Sequence, residues 1–128
     1  MSKILVVEDD AALRNLLETV LSKSGFPTLT AENGIKAVDI LSTEDISLVI
    51  TDIMMPGMGG LKLISYIASK NAHIKIITLS GAVHHNLRDT GGDELILEGV
   101  ESAPNVVKHI KKPFKIEDIL LTVKSVLN

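Results

Sequence analysis

The sequence predicts an α/β fold, a parallel sheet with helices on both faces, and three observations carry that reading. Short continuous apolar runs recur along the chain, each ending in polar residues. Runs of this kind suit strands buried on both faces. Segments with helical apolar spacing lie between them, so strand and helix alternate. The chain has 128 residues, 45% apolar and 23% charged, which suits a single core and one domain over residues 1–128 and excludes intrinsic disorder.

The first strand is Ile4-Leu5-Val6-Val7, running into Glu8-Asp9-Asp10. A helix follows, with Leu13, Leu16, Leu17, Val20 and Leu21 on one face and Gly25 as its stop. Pro27 to Ala31 is a weaker run and reads as an edge strand, where a leading proline is tolerated. Ile35, Val38 and Leu41 mark a short helix after Asn33-Gly34. The third strand, Ile46 to Ile50, runs into Thr51-Asp52. Leu61, Ile64 and Ala68 mark the next helix, and Ile74 to Leu79 forms a fourth strand that ends in Ser80-Gly81. A fifth strand begins at Val106-Val107, ahead of His109-Ile110-Lys111-Lys112-Pro113, and Ile116, Ile119, Leu120, Val123 and Leu127 mark a last helix. Between Ala82 and Asn105 the pattern breaks. Gly91-Gly92 interrupts any helix at roughly 1 kcal/mol per glycine relative to Ala. The sequence therefore predicts a mobile, atypical connection between strands 4 and 5, with at most a short helix near Asp93–Val100.

Composition removes several function classes. The formal charge of −3 offers no clustered basic face for direct nucleic-acid binding. Phe26, Tyr66 and Phe114 are the aromatic residues, too few for a stacking platform. There is no cysteine, hence no disulfide, thiolate site or Cys nucleophile. The opening MSKILVVEDD is too short and too acidic for a signal peptide or membrane span, and a cytoplasmic protein is expected. His84 and His85 are adjacent rather than one helical turn apart, so no histidine metal site is expected there or at His73 and His109.

What remains is a set of polar residues at the carboxyl ends of the predicted strands, the edge where open α/β sheets bind ligands. Asp9 and Asp10 follow strand 1, Asp52 ends strand 3, Ser80 ends strand 4 and Lys112 follows strand 5. Each has an ordinary structural reading alone. An Asp pair before a helix caps it, Ser80-Gly81 makes a turn, and Lys112 is a solvated charge. Together they describe a place to receive a phosphoryl group. Two carboxylates at ~4 Å repel by about 4 kcal/mol at an effective dielectric near 20, so three need a cation or a shared proton. Carboxylate oxygens suit Mg²⁺, Lys112 supplies a point charge, Ser80 a hydroxyl, and Asp52 the nucleophile.

These residues resemble the receiver domain of two-component response regulators. The resemblance rests on Val7-Glu8-Asp9-Asp10, Asp52 followed by Met54-Met55-Pro56-Gly57-Met58-Gly59-Gly60, Thr78-Leu79-Ser80-Gly81 and Lys111-Lys112-Pro113-Phe114. It implies a flavodoxin-like doubly wound five-stranded parallel sheet of order 2-1-3-4-5. It implies that Asp52 accepts a phosphoryl group from a phosphohistidine of a histidine kinase or histidine phosphotransfer protein. It also implies that Asp10 and Asp52 ligate Mg²⁺ directly with the Met54 carbonyl, and that Asp9 helps through water. Lys112 would pair with a phosphoryl oxygen ahead of a cis Pro113, and Ser80 would move to bond the phosphoryl group and change the surface near strand 5. Such a chain catalyses only its own phosphorylation and dephosphorylation and signals to a downstream protein target.

Two positions depart from the family. His109 stands three residues before the lysine, where an aromatic ring usually swings with the hydroxyl residue; Ser80 and His109 are thus the expected switch pair. The stretch from Ser80 to Lys112 is also longer than usual, by roughly two to three helical turns of ~3.6 residues. Three other functions compete. A receiver-like interaction module would not need the acidic set and Lys112. A phosphohydrolase with an Asp nucleophile commonly carries a second Asp where this chain has Met54. The receiver half of a DNA-binding regulator would continue past Asn128, so a stand-alone receiver without direct nucleic-acid or membrane contact is expected.

Overall fold

The computed structural model describes residues 2–53, 60–70, 73–80 and 104–127. In chain order their elements are β1 (Lys3–Val7), α1 (Ala11–Lys23), β2 (Thr28–Ala31), α2 (Gly34–Thr43), β3 (Ile46–Asp52), α3 (Gly60–Lys70), β4 (Lys75–Ser80), β5 (Val106–Lys111) and α4 (Ile116–Leu127). The strands form one parallel sheet in the order β2-β1-β3-β4-β5, the flavodoxin-like order. The expected irregular connection after strand 4, and Met54, lie outside the described residues.

Strand burial follows position in the sheet. The inner strands β1, β3 and β4 are almost wholly buried, and their apolar runs are continuous because helices cover both faces. Strands β2 and β5 lie at the edges, and these are the two weakest apolar runs. Alternation along each strand divides the core in two. Leu5, Val7 and Val49 pack with Ala37, Leu63 and Ile67 on the α2–α3 side. Ile4, Val6, Leu48 and Ile50 pack with Leu17, Leu21, Ile119 and Val123 on the α1–α4 side.

Local chemistry sets the helix ends. The Asp10 side chain caps α1, accepting from the Ala12 N–H at 2.9 Å and the Leu13 N–H at 3.2 Å. At the other end Gly25 has φ 95°, a conformation that favours glycine. The Gly25 N–H donates to the Ser22 carbonyl and the Phe26 N–H to the Leu21 carbonyl, and Phe26 packs into the same core as Leu21. This pair of bonds turns the chain back into β2. The Lys112–Pro113 peptide is cis. No helix among the described residues is long and apolar enough to cross a membrane.

Candidate functional site

The carboxyl edge of the sheet gathers side chains from four strand ends. Glu8 follows β1, and its backbone N–H still bonds the Ala31 carbonyl of β2 at 3.1 Å, so it keeps the strand's direction and buries its side chain to 1% exposure. Asp52 ends β3 and is 4% exposed; the next N–H, of Ile53, is tied to the Leu79 carbonyl at 3.0 Å. Ser80 ends β4 and is buried. Lys112 follows β5, and its backbone N–H bonds the Ser80 carbonyl at 2.7 Å, which fixes where its side chain starts.

From there Lys112 reaches across the edge. Its Nζ lies 2.8 Å from Glu8 Oε1 and 2.8 Å from Asp52 Oδ2. Glu8 is held from two further directions: the Asp10 N–H donates to its Oε2 at 3.2 Å, and an Arg14 N–H donates to its carbonyl at 2.8 Å. Carboxylate oxygens of Glu8, Asp9 and Asp52 lie within 4.8 Å of one another. These hard oxygen donors could hold a metal ion. Among the described residues three carboxylates gather around the Lys112 ammonium, an arrangement that suits a divalent cation.

Burial pushes the Glu8 carboxyl above its ordinary range, and the Lys112 hydrogen bond opposes that push without cancelling it. For Lys112, burial acts to lower the ammonium's pKa. The bonds to Asp52 and Glu8 outweigh burial, so the net direction is upward and the lysine stays charged.

The structure therefore brings together Asp9, Asp52 and Lys112 from the residues expected, and it adds Glu8. Asp10 is placed differently from the expectation. It is the N-cap of α1, with its carboxylate turned to the first-turn N–H groups, and it stands outside the acidic cluster. The signal for this was in the sequence. An apolar helical period opening at Ala11-Ala12-Leu13 makes Asp10 the cap and leaves Glu8-Asp9 at the sheet edge.

His109 lies opposite Thr78 in the β4–β5 ladder. Its Nδ1 is 2.6 Å from Thr78 Oγ1 and its Nε2 is 3.2 Å from Ser80 Oγ. The two switch residues expected from the sequence are thus in direct contact.

A family model described as the response regulator receiver domain matches residues 4–124. Sporulation initiation phosphotransferase F of Bacillus subtilis is 33% identical over 125 residues, covering 98% of this chain and 93% of that protein. The response regulator receiver protein CpdR of Brucella abortus is 31% identical over 127 residues, covering 99% and 98%. Among solved structures, the receiver domain of NtrX from Brucella abortus superposes with a TM-score of 0.80 at 27% identity, covering 98% of both chains. The response regulator TrrA of Thermotoga maritima, in complex with Mg(2+)-BeF, superposes with a TM-score of 0.74 at 30% identity, again covering 98% of both.

Proposed function

The chain belongs to the response regulator receiver domain family, and from that premise we propose that Asp52 is its phosphoryl acceptor, served by a phosphohistidine on a histidine kinase or histidine phosphotransfer protein. The observation that carries this reading is the Lys112 ammonium bridging two buried carboxylates, Glu8 and Asp52, beside Asp9. Such an arrangement lowers the cost of bringing a phosphoryl dianion to a carboxylate.

A carboxylate oxygen of Asp52 attacks phosphorus; the O–P bond forms as the P–N bond to the donor imidazole breaks, and the imidazole leaves with the electron pair. Lys112 gives one of its donors to a phosphoryl oxygen while remaining between Glu8 and Asp52. Ser80 donates its hydroxyl proton to a second oxygen. Glu8, Asp9 and Asp52 would hold the Mg²⁺, and the Met54 carbonyl is a further expected ligand. Bound there, Mg²⁺ supplies positive charge to the transferring oxygens. The Thermotoga maritima relative determined with Mg(2+)-BeF supports this choice of ion. Water later attacks phosphorus; the bond from the Asp52 oxygen to phosphorus breaks, inorganic phosphate leaves and the carboxylate is restored, so the chain turns over only itself.

The receiver spans residues 1–128, and the signal leaves through the surface near β5 and the connection that precedes it, toward a downstream protein target in the cytoplasm. Incubation with acetyl phosphate, followed by intact mass measurement, tests the reading. We expect one phosphoryl adduct with Mg²⁺ and none in Asp52→Asn. An adduct of equal yield in the variant would overturn the assignment.

A further inference from the structure

Thr78 and Ser80 stand two residues apart on β4 and therefore on the same face of the strand, with His109 of β5 beside them. One imidazole ring spans both hydroxyls, with Nδ1 at Thr78 and Nε2 at Ser80. A neutral imidazole has one donor and one acceptor, so the two hydroxyls cannot be treated alike. One must give its proton to the ring and the other must receive the ring's proton.

Burial decides which. Thr78 is 0% exposed, and among the described residues the partner of its hydroxyl is His109 Nδ1. Its proton cannot reach water, so it needs that nitrogen as an acceptor. Nδ1 is then the bare nitrogen and Nε2 carries the hydrogen. Nε2–H points at Ser80 Oγ and occupies an oxygen lone pair, leaving the Ser80 proton for another acceptor. The opposite tautomer would put a donor against Thr78 and strand a sealed hydroxyl proton. It would also let Ser80 donate to the ring, using the proton that a phosphoryl group needs.

We infer that His109 is a positioning residue: a one-way chain, Thr78 O–H to Nδ1 and Nε2–H to Ser80 Oγ, keeps the Ser80 hydroxyl a hydrogen-bond donor toward the phosphoryl site. Each bond in such a chain polarises the next, so Ser80 becomes a better donor than an isolated serine. The ring here sets the direction of a hydroxyl proton, a task for which Phe has no polar atom. Ser80's part rests on the phosphoryl reading of Asp52. The ring tautomer does not.

Ring ¹⁵N NMR of His109 in the full chain tests the inference, recorded above the ordinary histidine titration range, with and without Mg²⁺ and beryllofluoride. The expected result is the Nε2–H tautomer in both states. An Nδ1–H tautomer in either state overturns the chain. His109→Phe should still form the Asp52 adduct with acetyl phosphate, while the Ser80 shift response to beryllofluoride falls several-fold. His109→Gln, whose amide can donate to Ser80, should restore part of it. A Phe variant responding like wild type overturns the inference, and the wild-type tautomer decides the matter if that variant does not fold. No adduct on the wild type overturns the phosphoryl reading and Ser80's part with it. An adduct together with Nδ1–H overturns the chain alone.

Discussion

Lys112 Nζ sits 2.8 Å from Asp52 Oδ2, a contact between the end of β5 and the end of β3 across 60 positions of the sequence. The same ammonium is 2.8 Å from Glu8 Oε1, so one cation holds two buried carboxylates apart from each other's charge. Lys112→Ala should destabilise the fold by about 2–3 kcal/mol. That is less than the 3–5 kcal/mol typical of breaking a fully buried pair, because Lys112 keeps partial exposure. Urea denaturation without divalent cation measures this, and an unchanged midpoint would contradict the bridge.

The capping role of Asp10 separates stability from chemistry. Asp10→Ala removes the acceptor for the Ala12 and Leu13 N–H groups and should cost about 1 kcal/mol. It should leave the yield of Asp52 adduct near wild type. Asp9→Asn should do the reverse, with little loss of stability and a several-fold slower reaction at fixed Mg²⁺. Denaturation midpoints and adduct time courses on both variants check the contrast.

Divalent cation should stabilise the folded chain through the acidic cluster. Binding only to the native state adds about 2.7 kcal/mol when the cation stands at 100 times its Kd. Mg²⁺ should therefore raise Tm in the wild type, and much less in Asp9→Asn. Glu8→Gln removes one of the mutually repelling charges, so it should raise stability in the absence of Mg²⁺ and weaken the response to it. Thermal melts with and without Mg²⁺ measure both effects, and equal Mg²⁺ responses in all three proteins would place the cation elsewhere.

The sheet was legible because its inner strands are covered on both faces and so read as unbroken apolar runs, as in Leu5-Val6-Val7 and Leu48-Val49-Ile50. Gly25 was legible as the end of α1 because glycine takes the positive φ at low cost. The division of labour in Glu8-Asp9-Asp10 was harder. All three are acidic, and one residue of register decides which carboxylate enters the site and which turns back to cap the helix. His109 was flagged by its position and paired with Ser80, but its second partner, Thr78, was not. A register shift between Ile76 and Ile77 determines that the ring meets Thr78, and nothing local in the sequence specifies that shift.

Locating the acyl phosphate on the wild-type chain tests whether Asp52 accepts the phosphoryl group. After reaction with acetyl phosphate and Mg²⁺, borohydride reduces an aspartyl phosphate to homoserine, and peptide mass spectrometry finds the position. The account predicts modification at Asp52 alone, with Asp9, Asp10 and Glu8 intact. Modification at another carboxylate, with Asp52 unchanged, would contradict it.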